Sequence, residues 1–417
     1  MEASSLVSRK WTLCIILSFL GFILLVCYLD HARKPMLVDD LPAQVNRIAA
    51  INSSSTGILL QGSKARGTNR VPEKCDVFDG QWVYDPEAYP LYSSSDCPFL
   101  SDQVSCQNNG RPDSDYQRWR WQARNCNTPR FSGRDMLEML RGKRVVIVGD
   151  SLNRNQWESL ACLLYSQIPP TRAYISVKDA LHKVFKAKDY NCTVEFFWSP
   201  FLVELENRKQ RKKVLKILKL GTISDAAKHW PGADVMVFNT GHWWLHKGKL
   251  KAWDFLEKEG ILVEDMDVED AFKMAMQTWA KWIDGNVNPS KTTVFFRSIS
   301  PEHKGEKQWC YNRTQPHMDE SNIVQFTPPT TALIEKIIGE AKIPLKYLNI
   351  TRLSQYRVDA HTSVYTVRRG KLLTDQQRGK PNIYADCSHW CLPGLPDTWN
   401  EILYQMLILQ QDTAAFL

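Results

Sequence analysis

A run of four branched apolar residues, Val145 to Val148, constrains this chain more than any other stretch, because it ends abruptly in Gly149-Asp150-Ser151. Such a run predicts a strand that is buried on both faces, as in a parallel sheet. The next stretch, Asn153 to Tyr165, predicts a helix. Ser151 would then lie at the carboxyl end of a strand and beside a helix amino terminus, where α/β sheets bind ligands and N–H groups stabilise developing negative charge. Taken alone, the tripeptide is also typical of an ordinary turn with a capping serine.

Helix and strand patterns alternate from Ser132 onward. Helices are predicted to begin at Ser132 and to cover 268–283 and 331–338, and strands to cover 193–198, 234–238, 292–297 and 345–350. The alternation predicts an α/β fold with a parallel sheet covered by helices. Seven Lys or Arg residues fall between positions 208 and 219, inside the stretch 205–220. This stretch is expected to be a solvated helix or loop, with binding of a polyanion as the alternative.

The amino-terminal region is expected to anchor the chain in a membrane. Residues 11–29 form an almost uninterrupted apolar run, which is long enough to span a bilayer. A cleaved signal peptide is the competing interpretation, but the run exceeds the usual apolar region and no small-x-small cleavage site follows it. We therefore expect a cytosolic tail at 1–10, a transmembrane signal anchor at 11–29 and a flexible stem at 30–71, where small and polar residues predominate.

The cysteines and glycosylation motifs indicate an oxidising compartment for the rest of the chain. Nine cysteines follow the apolar run, and four Asn-x-Ser/Thr motifs begin at Asn52, Asn191, Asn312 and Asn349. Zinc binding is the rival explanation for the cysteines, but Cys387 and Cys391 form the only close pair, so disulfides are favoured. Because nine is odd, one thiol should remain free, and Cys192 is the candidate.

The charge and the tryptophan content favour a large anionic or carbohydrate partner without choosing between them. The formal net charge is +8 at pH 7, which suits an acidic polysaccharide, a membrane surface or a nucleic acid. Fifteen tryptophans supply flat faces for sugar rings, although core packing is the alternative role for each. Trp243, Trp244 and Trp390 are the candidates for stacking on a glycan.

Ser151 needs a base, because a serine hydroxyl is a weak nucleophile at neutral pH. Asp386 precedes His389 by three residues in a turn fenced by two cysteines and several prolines. Such an acid can contact the inner ring nitrogen and leave the outer nitrogen for Ser151. The alternative pair is Asp359 and His361, whose side chains would point in opposite directions in an extended segment. We therefore favour Asp386 and His389.

These motifs resemble the esterase fold of SGNH (GDSL) hydrolases and, more closely, the plant trichome-birefringence-like proteins, a family of cell-wall polysaccharide O-acetyltransferases. The resemblance runs from Cys75 to the carboxyl terminus. Its blocks, in chain order, are Cys75-Asp76-Val77-Phe78-Asp79-Gly80-Gln81-Trp82-Val83, Asn109-Gly110-Arg111-Pro112-Asp113, Tyr116-Gln117-Arg118-Trp119-Arg120-Trp121, Gly149-Asp150-Ser151 and Asp386-Cys387-Ser388-His389-Trp390-Cys391-Leu392-Pro393-Gly394.

The resemblance implies a major SGNH-like lobe with three α/β/α layers at 132–417. A smaller, loop-rich lobe at 72–131, rich in Cys and Trp and stapled by disulfides, is expected to pack on it. The implied disulfides are Cys75–Cys126, Cys97–Cys162, Cys106–Cys391 and Cys310–Cys387. It further implies a single-pass type II protein of the Golgi membrane with its catalytic domain in the lumen.

The resemblance also implies the roles of the site residues. Ser151 would carry the acetyl group, His389 would act as general base and acid, and Asp386 would orient His389. The oxyanion would be held by the N–H of Ser151 and by Asn239, although Asn239-Thr240-Gly241-His242 departs from the usual hydrolase block. The remaining candidates for oxyanion or substrate contact are Gly149, Asp150, Arg154, Trp243 and Trp390.

The implied reaction transfers an acetyl group to hydroxyls of xylan or pectin through an acetyl-serine. The donor, acetyl-CoA or another activated carrier, would be a co-substrate, supplied directly or by a transporter. No bound cofactor, metal or nucleic acid is expected. The alternatives are a polysaccharide acetylesterase with the same three residues, and a non-catalytic protein that binds pectin or xylan.

Overall fold

A computed structural model of the chain describes residues 75–415, except for 125, 127–128, 178–180, 212, 306–307, 321–322, 324–327 and 329. The predicted tail, anchor and stem at 1–71, together with the motif at Asn52, lie outside the described residues. None of the described helices combines the length and the apolar character needed to cross a bilayer. The described residues belong to one compact unit.

Helices and strands alternate through most of this unit. The described helices are α1 (Gly133–Met139), α2 (Ser151–Tyr165), α3 (Val268–Asn286), α4 (Thr330–Glu340), α5 (Thr351–Gln355), α6 (Asp375–Arg378), α7 (Pro381–Tyr384) and α8 (Leu395–Ala415). The described strands are β1 (Gly80–Tyr84), β2 (Trp119–Ala123), β3 (Arg144–Gly149), β4 (Ala173–Val177), β5 (His182–Ala187), β6 (Cys192–Trp198), β7 (Val203–Gln210), β8 (Lys213–Ile223), β9 (Val235–Phe238), β10 (Phe255–Lys258), β11 (Ile261–Val263), β12 (Thr293–Arg297), β13 (Lys304–Gly305), β14 (Gln308–Trp309), β15 (Leu345–Leu348), β16 (His361–Ser363), β17 (Val367–Arg368), β18 (Lys371–Leu372) and β19 (Asp386–Trp390).

The central sheet has seven strands in the order β15-β12-β9-β3-β6-β5-β4. The strands from β15 to β6 are parallel, as predicted, but β5 and β4 run antiparallel to their neighbours. The expectation of a wholly parallel sheet is therefore wrong at this edge. The reason is connection length, because only residues 178–181 and 188–191 join these strands. A parallel pair needs a crossover of about a dozen residues or more.

Strand β3 lies in the middle of the sheet and is buried on both faces, as its apolar run predicts. Val145 and Ile147 belong to a core cluster shared with α2 and α8, whereas Val146 and Val148 belong to a cluster shared with α3 and α4. Successive side chains of a strand point to opposite faces, so the two clusters lie on opposite sides of the sheet. Each fills the interface between the sheet and its covering helices, which gives a three-layer α/β/α arrangement.

The basic stretch 205–220 is not a solvated helix or loop, so that expectation is wrong. It forms the antiparallel strands β7 and β8, which belong to a second sheet in the order β11-β10-β8-β7. Its apolar residues explain this outcome, since Leu218 and Leu220 are buried in the core cluster that includes α3. The basic residues are partly paired: Glu206 lies 2.9 Å from both Arg208 and Lys219.

The Cys- and Trp-rich segment before Ser132 packs on the same core as α2 and α8. Strands β1 and β2 pair antiparallel and bring Trp82 against Trp121. The indole N–H of Trp82 donates to the carbonyl of Leu353 at 2.9 Å. The phenol of Tyr89 donates to Glu401 of α8 at 2.8 Å. These contacts merge the expected smaller lobe into the main core.

Four disulfides fasten this arrangement, and they are the four pairs that the resemblance implies: Cys75–Cys126, Cys97–Cys162, Cys106–Cys391 and Cys310–Cys387. Cys192 is free and buried, as predicted. Burial raises the pKa of its thiol to about 12, so it is unreactive. Of the described glycosylation motifs, Asn191 and Asn312 are exposed, whereas Asn349 is half-buried.

Candidate active site

Ser151 is the first residue of α2, directly after the carboxyl end of β3. Asp150 caps the helix, because its carboxylate accepts a hydrogen bond from the N–H of Leu152 at 2.9 Å. Gly149 permits the close approach of the neighbouring strand, since a Cβ there would lie 2.0 Å from Oδ1 of Asn239. The turn thus presents the hydroxyl of Ser151 at a helix amino terminus, where N–H groups lack partners within the helix.

His389 and Asp386 lie beside this hydroxyl. Nε2 of His389 is 2.7 Å from Oγ of Ser151, and Nδ1 of His389 is 2.8 Å from Oδ2 of Asp386. The other oxygen of Asp386 accepts hydrogen bonds from the backbone N–H groups of Ser388 at 3.0 Å and His389 at 3.1 Å. The structure therefore brings together the three residues predicted as nucleophile, base and orienting acid.

The electrostatics of the site favour a basic imidazole at His389 and an ionised carboxylate at Asp386. Burial alone would lower the pKa of His389, but the charge of Asp386 and its hydrogen bond outweigh burial and raise that pKa above 6.5. Burial alone would raise the pKa of Asp386, but His389 and the two backbone N–H groups hold it far below its ordinary value. An oriented imidazole of this kind can accept a proton from a hydroxyl and return it.

Three connections hold the His389 segment in place. Strand β19 pairs with β16, so that Trp390 faces His361 in the register. Oδ1 of Asn155, one helical turn beyond Ser151, accepts the N–H of Trp390 at 3.0 Å. The disulfides through Cys387 and Cys391 fasten the strand on both sides of His389.

The alternative pair Asp359 and His361 is not assembled. The carboxylate of Asp359 pairs with the guanidinium of Arg357 at 2.9 Å. His361 instead lies 2.7 Å from Nδ1 of His303 and donates from Nδ1 to the carbonyl of His389 at 3.0 Å. Burial, aided by His303, holds the pKa of His361 well below its ordinary value. His361 therefore supports the segment that carries His389.

Asn239 was expected to hold the oxyanion and Arg154 to contact the oxyanion or the substrate, but both side chains contact other residues. The amide of Asn239 is fully buried and is committed to Asp150, with both of its hydrogen bonds at 3.3 Å. It holds the capping residue rather than lying open beside Ser151. Arg154 donates to Oε1 of Gln103 and lies 3.7 Å from the buried Glu158, so its guanidinium is already paired.

Two of the three tryptophans proposed to stack on a glycan are core residues, which corrects that expectation. Trp390 and Trp244 are at most 1% exposed. Trp390 stacks on His361 with 3.6 Å between ring centroids, and its indole N–H donates to Ser300 at 2.8 Å. Trp243 is half-buried and remains available at its exposed edge.

Two models of known families match this sequence, and together they cover most of the chain. The family model described as "GDSL/SGNH-like Acyl-Esterase family found in Pmr5 and Cas1p" matches residues 128–406. A second model, described as "PMR5 N terminal Domain", matches residues 73–127. The chain belongs to the GDSL/SGNH-like acyl-esterase family found in Pmr5 and Cas1p. Its chemistry is therefore that of an acyltransferase or an esterase.

Members of this acyl-esterase family with similar sequences come from plants. The chain is 41% identical over 386 residues to protein trichome birefringence-like 1 of Arabidopsis thaliana, which covers 89% of this chain and 68% of that protein. It is 40% identical over 399 residues to trichome birefringence-like 31 of the same plant, covering 93% and 94%. It is 44% identical over 348 residues to probable xylan O-acetyltransferase 10 of Oryza sativa subsp. japonica, covering 80% and 78%.

Several residues of this acyl-esterase site carry no local sequence signal. Gln103, from the amino-terminal segment, lies 3.4 Å from Nδ1 of His389. His242 lies 3.8 Å from the carboxylate of Asp150 and donates from Nε2 to the carbonyl of Ser300 at 2.8 Å. Arg297 donates to Asn153 at 2.8 Å beneath the nucleophile turn. Only their spatial neighbours reveal these residues, although His242 lies four positions after the end of β9 in the sequence.

Proposed function

We propose that the chain is a polysaccharide O-acetyltransferase that works by double displacement through an acetyl group on Ser151. The observation that carries this proposal is the chain of contacts from Ser151 through His389 to Asp386, at 2.7 and 2.8 Å. The relatives named xylan O-acetyltransferases support the direction of the reaction.

In the first half-reaction, Nε2 of His389 takes the proton of the Ser151 hydroxyl as Oγ attacks the acetyl carbonyl of the donor. The negative charge on the carbonyl oxygen develops beside the amino terminus of α2, where the N–H of Ser151 can donate to it. His389 then returns the proton to the leaving group. The charge of Asp386 stabilises the imidazolium that exists between these two proton transfers.

In the second half-reaction, a sugar hydroxyl takes the place of the leaving group. His389 removes its proton, its oxygen attacks the acetyl-serine carbonyl, and Ser151 recovers its proton when the ester bond to the enzyme breaks. Transfer exceeds hydrolysis only when the acceptor is held in place and water is poorly positioned. Trp243, which is half-buried in the segment that follows β9, is a candidate surface for the sugar.

We further propose xylan or pectin as the acceptor, acetyl-CoA or another activated carrier as the donor, and a type II orientation in the Golgi membrane. Four disulfides and exposed glycosylation motifs at Asn191 and Asn312 support a location in an oxidising lumen. The apolar run at 11–29 supports the anchor.

The test incubates the full-length chain with acetyl donor and maps acetylation of Ser151 by mass spectrometry, followed by a screen of deacetylated wall polysaccharides. The expected result is one acetyl group on Ser151 that an acceptor polysaccharide removes. Ser151→Ala should accept no acetyl group at this position. Acetate release from acetylated polymer without transfer would indicate an esterase. Full biological activity of Ser151→Ala would leave only a binding role.

A further inference from the structure

A cationic cavity opens directly beside Asp386. It has a volume of about 420 Å³, within the range of roughly 300–1,000 Å³ that is typical of small-molecule sites. Its lining includes Arg368 and Arg369 at the turn between β17 and β18, with Lys304 from β13. We call this cavity the arginine pocket.

The carboxylate in the wall of the arginine pocket contacts His389 and forms no ion pair with these cations. Asp386 is the one acidic residue in the described lining, and its oxygens already accept hydrogen bonds from the N–H groups of Ser388 and His389 and from the His389 ring. Lys304 forms an ion pair at 3.0 Å with Glu302, a residue outside the described lining. The unneutralised positive charge therefore comes from the two arginines.

The arginines are placed to receive an anion. Arg368 donates to the carbonyl of Ile383 at 3.2 Å and lies 5.3 Å from the ring centre of Tyr384, which orients its guanidinium. Arg369 is exposed and makes no ion pair with any carboxylate of the described residues. Planar guanidinium groups bind carboxylates through paired hydrogen bonds, so this chemistry suits a sugar acid.

The lining also argues against the nucleotide part of a donor. Val367 and Tyr384 are its larger apolar side chains, and the guanidinium of Arg368 lies over the ring of Tyr384. One face of the single aromatic ring in the described lining is therefore taken by a guanidinium, which leaves little apolar surface for a base. A sugar unit, whose surface is mostly hydroxyl groups, matches polar walls better.

We propose that the arginine pocket is a subsite for the carboxylate of an acidic sugar unit in the acceptor, close to the unit that receives the acetyl group. The inference rests on the proposed function for its choice of ligand. Because Gln103 and Asp386 lie in the wall of the pocket and contact the His389 ring, a bound acidic unit places its neighbours in the chain near Ser151.

The test measures binding without turnover. The full-length chain with Ser151→Ala is titrated with two matched probe pairs: oligogalacturonate against its methyl ester, and an acidic xylo-oligosaccharide against its carboxyl-reduced form. We expect at least one acidic probe to bind roughly tenfold more tightly than its neutral partner. Arg368→Gln with Arg369→Gln should bring that ratio close to one.

The matched control removes the same charge elsewhere. Lys213→Gln with Lys216→Gln changes two exposed residues of β8 and should preserve the ratio. A ratio near one in the Ser151→Ala chain for both probe pairs, or a ratio that the arginine substitutions leave unchanged, would overturn the subsite. The subsite would also be overturned if the two arginine substitutions weakened only the binding of acetyl-CoA and left oligosaccharide binding unchanged. Since no acetyl transfer is measured, failure of the proposed reaction alone would leave this result intact.

Discussion

Nε2 of His389 lies 2.7 Å from Oγ of Ser151, although the two residues are 238 positions apart in the chain. Ser151 is held by the junction of β3 and α2, whereas His389 belongs to β19, which pairs with β16 outside the central sheet. The contact therefore depends on how firmly β19 is fastened to α2. Asn155 supplies that attachment directly, and two disulfides with the β16 pairing hold β19 to the rest of the chain.

Removing the charge of Asp386 should lower kcat and should shift the acidic limb of the pH–activity profile to lower pH. His389 acts as base only when neutral, so activity rises with pH through its pKa, which lies above 6.5 in the native chain. In Asp386→Asn the carboxylate no longer raises that pKa, so the acidic limb of the kcat/KM profile should move to lower pH. The value of kcat should fall by roughly 10³–10⁴-fold.

The matched control for this profile is Asp375→Asn, at the exposed start of α6. It should reproduce the native limb. An unmoved limb in Asp386→Asn, measured on the same acceptor, would contradict the assignment of the limb to His389.

The disulfide beside Asp386 should affect catalysis more than a distant one does. Replacing both cysteines of Cys310–Cys387, or both of Cys75–Cys126, should each cost about 2–5 kcal/mol of unfolding free energy. Only the first pair borders Asp386, so only its loss should lower kcat/KM at temperatures where both variants stay folded. Equal losses of kcat/KM in the two variants would mean that Cys310–Cys387 has no special link to the site.

A methyl group at Gly149 should disrupt the nucleophile turn. The added Cβ would lie 2.0 Å from Oδ1 and 2.8 Å from the carbonyl oxygen of Asn239, so the neighbouring strand end must shift. We expect Gly149→Ala to lose about 1–3 kcal/mol in denaturant unfolding, together with activity. Gly221→Ala, where no atom lies within 4 Å of the added carbon, should unfold within about 0.5 kcal/mol of the native chain.

The tryptophans should separate into core and surface classes. Trp390→Ala removes a fully buried ring that stacks on His361, and should cost about 3–5 kcal/mol of stability. Trp243→Ala exposes less new cavity because the ring is half-buried, so its main effect should be a higher KM for the polysaccharide. Unfolding midpoints and acceptor titrations on both variants check this. A higher acceptor KM for Trp390→Ala, without a stability loss, would restore its proposed sugar contact.

Local patterns predicted the parts of the fold that depend on local chemistry. The apolar run of β3 and the spacing of α3 indicated buried elements correctly, and Asp386 and His389 were chosen from spacing in a constrained turn. The antiparallel edge at β4 and β5 depends on short connections, which apolar runs do not reveal. Strand β8 buries Leu218 and Leu220 in the core cluster that includes α3, which its charge pattern did not indicate.

Predictions about individual side chains failed where tertiary packing decides exposure. The flat indole of Trp390 made it a candidate for a sugar contact, with core packing as the alternative, and its side chain lies in the core. Gln103 lies nearly fifty positions before Ser151 in a segment without regular periodicity, so no pattern linked it to His389. Asn239 follows a strand as a hydrolase oxyanion donor would, yet the close approach of Gly149 and Asp150 engages its amide.

The bond between Cys106 and Cys391 spans 285 positions and so joins a residue made before Ser151 to one made long after it. Both cysteines must have left the ribosome before this link can close. Until then, the serine hydroxyl lacks a firmly placed imidazole. Oxidative maturation should therefore precede full activity of the site.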